Sequence, residues 1–579
     1  MRRPLLAAVA LLLLAAASPL AAAREDDDEE YYILSLKPGA GARRARLPPA
    51  APPRRFHGGN GDEDDAIMDD VSRCDPLALE DERGFFPIAR VLRRAVRGAV
   101  LRLDSPAAAA LRARLDPDCA LEVDARVTAQ GYRTTKVVAQ QRSRGGGAEA
   151  FRPPRPTHWE LDRVDQRALP LDGVASAVNA SSSGEGTIVY VVDSGVMRGH
   201  DEFRRVAETR RDDESEEQVY YDASAAAYAA AAFDAAASPS SRVVAAADFV
   251  SGESPSDKAR VAAIGGDCYG HGTAVASLAA GVRSGLAPRA DVVDVRVLDC
   301  AGNGRVSDVI SGLDYAIEHY RSLPAYELPP AALTLSLGVP IGVPSRALER
   351  AVAEVVRRHN VVVVVAAGNA ERSRRTSDAC RFSPGREPSV ITAAASEIND
   401  RTWSDGMTGP CVDLFAPGVE VTAAAFEEDV GNRYSYQLNA RFGRDDDDDG
   451  DDDDDGAETE METDAYAGWT GTSMAAPIVA GAALARMSLE RGEGADGAPN
   501  PDASGAFLQT CFTHRPVSTL DRVSFRLTGE LFCMERPSDV KRRLLDEATE
   551  NALWDRRVPR GVERFVSFFT RPVRFSFNI

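Results

Sequence analysis

The chain has 579 residues and a hydrophobic fraction of 44%, room for about three or four domains and ample for a sizeable core, so a small disulfide-stapled scaffold is excluded. Acidic residues outnumber basic ones by 89 to 68, a formal net charge of −21. Fourteen of the acidic side chains fall in residues 445–464 with no basic residue among them; the remainder is mildly acidic and carries four lysines, too few for a basic stripe, which excludes nucleic acid as a partner.

Residues 1–23 have the pattern of a signal peptide: Arg2 and Arg3, an apolar Leu/Ala run from Pro4, and three alanines, Ala21 to Ala23, before the charged stretch that begins at Arg24. The same run is long enough to approach a membrane span, but Pro19 and the small residues suit cleavage better than an uncleaved anchor. The expectation is a secreted, extracellular or secretory-lumen protein with no membrane association once the signal is removed. In that compartment the eight cysteines are candidates for disulfides rather than metal ligands. Asn179-Ala180-Ser181 is the single glycosylation sequon, in a Ser-rich loop.

Tyr31 to Gly39 alternates like a strand and stops at a Pro-Gly turn; a Pro/Arg/Ala-rich linker follows. Ala99 to Leu103 and Leu121 to Asp124 pattern as strands and Ala107 to Leu115 as a helix, which together predict a small α+β unit. Residues 140–157, with Gly145-Gly146-Gly147 and three prolines, have linker composition. Beyond Trp159 the pattern is βαβα. Strand runs at Thr187 to Val192, Val292 to Leu298, Leu333 to Leu337, Val361 to Val365 and Val390 to Ala395 alternate with helical periods from His271, from Ser307 and over Leu348 to Val356. Near-continuous Val/Leu runs are strands covered on both faces, and they predict a doubly wound, mostly parallel α/β sheet with helices on both sides, its chemistry at the carboxyl ends of the strands. Three stretches break the rhythm as insertions, at about 204–245, 427–465 with its polyaspartate, and 487–537.

Three motifs stand at the starts or ends of such elements. Asp193-Ser194-Gly195 closes the strand Ile188 to Val192, a place where an Asp is as often a helix cap. Gly270-His271-Gly272-Thr273 opens a small-residue helix, where a lone His is commonly a cap or core residue. Gly471-Thr472-Ser473-Met474-Ala475-Ala476-Pro477 opens another, where a Ser is ordinarily an N-cap. Their conjunction is the informative feature, because a serine hydroxyl needs a base and that base needs a carboxylate to fix its tautomer. Asp193, His271 and Ser473 supply them in the order Asp, His, Ser. Asn369, in Ala366-Ala367-Gly368-Asn369 after the valine strand, is a side-chain amide at another strand end, suited to meeting an oxyanion.

At these residues the chain resembles the subtilase family of serine endopeptidases, in its proteinase K and aqualysin-like branch, over most of residues 158–485 and again near 538–552; His200-Asp201-Glu202-Phe203 is similar to the family's H-P-E-F. The resemblance implies a self-processing enzyme that hydrolyses polypeptides through an acyl-enzyme on Ser473, with Asn369 as oxyanion donor. It implies that Gly302, Asn303 and Gly304 form one edge, and Ser336, Leu337 and Gly338 the other, pairing with an extended peptide substrate by β-augmentation. It implies disulfides Cys268 to Cys300 and Cys380 to Cys411, 32 and 31 positions apart. It implies a structural calcium on the carbonyls of Pro388 and Val390 and the Asp413 carboxylate, and no cofactor for chemistry. Partners for Cys74, Cys119, Cys511 and Cys533 stay open. The upstream unit resembles an inhibitor-type propeptide, which gives the expected organisation: signal peptide 1–23, propeptide with linker 24–145, cut between roughly 130 and 155, and peptidase domain 155–579. The propeptide would act as an intramolecular inhibitor. Two positions depart from the family pattern: Ala274 after H-G-T, and Val339-Pro340 where a second glycine usually follows Ser336-Leu337-Gly338. The second alters a wall of the substrate cleft, since Val adds bulk and Pro removes a backbone donor.

Overall fold

The protein is described by a computed structural model over residues 29–37, 67, 71, 74, 88–134, 138–139, 158–166, 169–173, 184–205, 241–263, 265–324, 328–340, 342, 344–370, 377–425, 465–489, 537–547, 549–550 and 564–565. The signal-like leader, Asn179, the polyaspartate, Cys511 and Cys533 lie outside the described residues. The chain divides into two compact units, 1–124 and 125–579.

In the first unit β1 (Glu29–Leu36), β2 (Ile88–Leu92), β3 (Gly98–Asp104) and β4 (Cys119–Val123) form an antiparallel sheet in the order β2-β3-β1-β4, with α1 (Ser105–Arg114) between β3 and β4. Its core follows the period of two: Tyr32 and Leu34 of β1 share one cluster with Ala99, Leu101 and Leu103 of β3 and with Ala108 and Leu111 of α1. The helix starts where Asp104 Oδ1 accepts the Ala107 N–H at 2.6 Å. Cys74 is bonded to Cys119, a pairing the sequence left open.

The second unit begins with three short strands, β5 (Arg126–Ala129), β6 (Tyr132–Arg133) and β7 (Val138–Ala139), and the helix α2 (Trp159–Val164). Then come β8 (Ile188–Asp193), β9 (Val243–Asp248), α3 (Pro255–Ala263), α4 (His271–Ala280), β10 (Asp291–Arg296), β11 (Asn303–Arg305), α5 (Val306–Ser322), β12 (Ala331–Leu335) and β13 (Leu337–Gly338). The rest is α6 (Arg346–His359), β14 (Val362–Ala366), β15 (Ile391–Ser396), β16 (Leu414–Pro417), β17 (Val421–Ala425), β18 (Ala465–Thr470), α7 (Thr472–Leu489), α8 (Pro537–Glu547), β19 (Thr549–Glu550) and β20 (Arg564–Phe565). The main sheet runs β19-β20-β16-β15-β14-β12-β8-β10-β9, parallel throughout except at the β19/β20 edge.

The sheet is the doubly wound α/β arrangement the valine runs predict. Val189 and Val191 of β8, and Val362, Val364 and Ala366 of β14, share a buried cluster with α4 and α7. Alternation sends Val363 and Val365 to the opposite face, where α5 and α6 pack side by side. α4 and α7 are rich in Ala, Gly, Ser and Thr, residues small enough to seat a helix directly on the strands. α6 carries its apolar stripe at Leu348, Val352, Val355 and Val356, is capped by Ser345, and ends at Asn360 in the left-handed region.

The structure differs from the sequence reading at the margins of the insertions. Strand β9 starts at Val243, inside the stretch assigned to the first insertion, and α7 runs to Leu489, inside the third. The Ala-rich run before Asp248 was too short and too weakly β-branched to stand out as a strand; pairing with β10 makes it one. Residues 126–129, 132–133 and 138–139, read as part of the upstream unit or its linker, pair with strands of the second unit instead.

Candidate active site

β8 ends in Asp193, whose Oδ1 lies 2.7 Å from Nδ1 of His271, the first residue of α4; both side chains are fully buried. Oδ1 also accepts the N–H of Ser194 at 2.8 Å. Two other strand ends converge here: Ser336 follows β12, and Asn369 stands three residues beyond β14. Ser473 is the second residue of α7, in the first turn, where helical N–H groups have no partner within the helix.

The structure identifies Asp267 as the residue that joins the first two motifs, a role invisible in the sequence. Its Oδ1 accepts from Ser194 Oγ and from the N–H groups of Tyr269 and Gly270; its Oδ2 accepts from the Thr273 N–H and hydroxyl. Ser194 Oγ in turn accepts the Gly272 N–H at 2.9 Å. A β-carbon on Gly272 would fall 2.1 Å from the Gly195 carbonyl oxygen, so the two motifs approach as closely as glycine permits. Burial, then the charges of Asp193 and Asp267, raise the pKa of the Tyr269 phenol above its ordinary value. Glu202, in the His200-to-Phe203 motif, accepts from Tyr466 Oη at 2.6 Å, and His200 Nε2 lies 3.0 Å from the Ala465 carbonyl; both tie down β18, the strand that leads into Ser473.

Strand β5 lies antiparallel between β11 and β13. Asn303 and Gly304 face Thr128 and Val127 on one side, while Leu337 and Gly338 face Ala129 and Thr128 on the other. The Gly302 carbonyl accepts from Ala129 N–H at 3.1 Å and the Ser336 carbonyl from Gln130 N–H at 3.0 Å. All six residues assigned to the two cleft edges therefore flank one stretch of this same chain. The Gln130 carbonyl oxygen accepts the Ser473 N–H at 3.0 Å. Gly131 comes next, and a β-carbon there would lie 3.0 Å from Ser473 Cβ and 3.1 Å from His271 Nε2. β6 and β7 then run antiparallel to β18.

Asn369 donates its backbone N–H to Gln130 Oε1 at 2.9 Å, and its side-chain Oδ1 accepts from Thr472 N–H at 3.1 Å and Oγ1 at 2.9 Å. With Oδ1 so engaged, Nδ2 is the end of the amide left to donate. The Ser473 hydroxyl donates to the Ser336 carbonyl at 2.8 Å, and the Ser336 hydroxyl donates to the Ser473 carbonyl at 2.8 Å. Among the described residues, His271 Nε2 and Asp193 Oδ2 have no hydrogen-bond partner.

Val339 is buried and donates its N–H to the Ser383 carbonyl at 3.0 Å, so the bulkier residue is absorbed into the cleft wall. Cys268 is bonded to Cys300 and Cys380 to Cys411. Pro388 O, Val390 O and Asp413 converge on one point, which Lys541 Nζ occupies.

The profile of the subtilase family matches residues 184–497, more than half of the chain, and the chain belongs to that family. It is 34% identical over 275 residues to an extracellular serine proteinase of Thermus sp. (strain Rt41A), covering 48% of this chain and 52% of the relative. It is 32% identical over 332 residues to the subtilisin-like serine protease Pen ch 13 of Penicillium rubens, covering 57% of this chain and 59% of the relative. The match thus spans little more than half the length of these relatives. A solved cold adapted subtilisin-like serine proteinase is 26% identical, with a TM-score of 0.42, covering 71% of this chain and 98% of that one.

Proposed function

We propose that this chain is the precursor of a secreted serine endopeptidase that hydrolyses peptide bonds through an acyl-enzyme on Ser473 and cuts itself between Gln130 and Gly131. The observation that carries the reading is the hydrogen bond from the Ser473 N–H to the Gln130 carbonyl oxygen, in a strand held on both edges of the cleft. That N–H is where an oxyanion would need a donor.

In this reading the Ser473 hydroxyl turns from the Ser336 carbonyl to His271 Nε2, a buried acceptor whose hydrogen bond is otherwise unmade. His271 takes the proton as Ser473 Oγ attacks the Gln130 carbonyl carbon, and Asp193 stabilises the imidazolium through its 2.7 Å contact to Nδ1. The Ser473 N–H and Asn369 Nδ2 receive the oxyanion. Collapse breaks the C–N bond, and His271 returns the proton to the Gly131 nitrogen. Water then hydrolyses the Gln130 ester by the same steps, leaving a carboxylate. Residues 126–130 are the first peptide bound in the cleft and, after the cut, its first product. The upstream unit is the propeptide and inhibitor, and polypeptides that fit the same edges are the substrates. The structural calcium that the family resemblance implies would need the Pro388, Val390 and Asp413 oxygens, and Lys541 Nζ is bonded to all three groups.

The test is to express the chain with its own leader beside Ser473→Ala, sequence the N-terminus of the product, and label it with a fluorophosphonate. Expected is a product beginning at Gly131 and labelled at Ser473, with Ser473→Ala uncut. A cut Ser473→Ala would assign the processing to another protease. A folded, cut product that does not label would favour a binding or regulatory protein on the same fold.

A further inference from the structure

The oxygens of Pro388, Val390 and Asp413 surround an ammonium. Lys541 Nζ donates to the Pro388 carbonyl at 3.1 Å, to the Val390 carbonyl at 2.6 Å and to Asp413 Oδ2 at 2.8 Å, and Asp413 Oδ1 is also 2.8 Å away. Three N–H donors meet three acceptor groups, the full capacity of a lysine head. The 2.8 Å distances to the Asp413 oxygens are those of charge-assisted N–H···O bonds. A calcium ion would require six to eight oxygens at about 2.3–2.6 Å. One carboxylate and two carbonyls balance a single positive charge, and the ammonium supplies it.

The placement is built into the fold. Lys541 stands on α8 between Val540 and Leu544, both buried in the main core, so the helix that delivers the ammonium is anchored on either side of it. Asp413 is held as well: its Oδ2 accepts the Thr392 N–H at 2.9 Å and its own N–H donates to the Thr392 carbonyl at 3.0 Å, fixing the carboxylate at the start of β16 against β15. Calcium could enter only by expelling a tethered cation, since two like charges would otherwise share one set of oxygens. The oxygens fit the resident ammonium and leave no place for the metal.

We propose that the Lys541 ammonium is the resident cation of the Pro388, Val390 and Asp413 site and excludes calcium from it. The inference does not rest on the proposed peptidase activity, and its test is read without any turnover. The full chain carrying Ser473→Ala, to exclude autolysis, is compared with the same chain also carrying Asp413→Asn, Lys541→Met, or both. Melting temperature is followed against calcium concentration, and bound calcium per chain is counted by titration calorimetry. The parent and Asp413→Asn should show the same calcium-dependent shift, since any response then comes from elsewhere in the molecule. Lys541→Met keeps the apolar stem but removes the charge; it should bind one more calcium per chain and gain a calcium-dependent rise in melting temperature that Asp413→Asn abolishes. A response in the parent that Asp413→Asn removes would overturn the proposal. So would a folded Lys541→Met that gains no calcium. If Lys541→Met fails to fold, the parent against Asp413→Asn still decides.

Discussion

Phe382 occupies the space that Gly338 leaves open: a β-carbon on Gly338 would fall 2.0 Å from Cζ of the Phe382 ring, and one on Gly368 2.9 Å from its Cγ. Gly338 pairs with Thr128 on the edge whose Ser336 carbonyl accepts the Gln130 N–H, and Gly368 precedes the Asn369 N–H that Gln130 Oε1 accepts from. The ring thus fills the gap between the two walls. The Gln130 amide does not enter that gap; its Nε2 folds back onto the Thr128 carbonyl and hydroxyl. Phe382→Ala is expected to open a pocket and shift preference before the scissile bond towards large apolar residues by about tenfold or more in kcat/KM, at about 3–5 kcal/mol of stability. Peptide pairs with Gln or Phe at that position check it, and an unchanged ratio would exclude Phe382 as the filler.

Gly131 lies where any side chain meets the machinery, 3.0 Å from Ser473 Cβ and 3.1 Å from His271 Nε2 for a first carbon. If the chain cuts itself after Gln130 as proposed, Gly131→Val should slow that cut about a hundredfold or more, because misplacement by an ångström is enough to do so. The rate of precursor loss after secretion is the readout, and processing at the parent rate would move the cut elsewhere.

Asp267 accepts five hydrogen bonds from Ser194, Tyr269, Gly270 and Thr273 while fully buried. Asp267→Asn keeps the shape but turns one fork of the group into a donor facing donors. A loss of about 2–4 kcal/mol is expected in urea unfolding, together with a lower kcat. Undiminished stability would mean that the loop repairs itself with other partners.

Two buried groups give opposite pH slopes. Burial lowers the pKa of His319 to about 4, so the unfolded chain binds a proton below 6.5 that the folded chain refuses until pH 4. Its contribution, about 3 kcal/mol, is present above pH 6.5 and lost as pH falls through that window. Burial raises Asp294 to about 7, against the opposing effect of Arg198. Its contribution is present below pH 3.8 and lost as pH rises through 7. Asp294→Asn should therefore gain stability from pH 4 to 6.5 more steeply than the parent, and His319→Gln should gain less or lose. Urea midpoints across that range decide, and identical slopes in all three proteins would reject both assignments.

The parallel sheet was legible because runs such as Val361 to Val365 bury both faces of a strand, a property of local composition alone. The positions of Asp193, His271, Ser473 and Asn369 were legible for a related reason: each is flanked by glycines or small residues where a strand ends or a helix begins and the backbone must turn. The edges Gly302 to Gly304 and Ser336 to Gly338 could be named, but not what lies between them. That residues 126–130 fill the cleft depends on partners more than 170 positions away, and neither edge carries a local signal for its occupant. Four of the five bonds to Asp267 come from residues 269–273 of its own loop, but the one from Ser194 Oγ, which joins the two motifs, exists only once two loops meet. Lys541 marks the limit most plainly. Its contacts to Pro388 and Val390 span 153 and 151 positions, and nothing in a helical Pro-Ser-Asp-Val-Lys sequence says where its ammonium goes. Local chemistry sets which elements form and which residues end them; packing of the finished core sets which distant charge arrives at which oxygens.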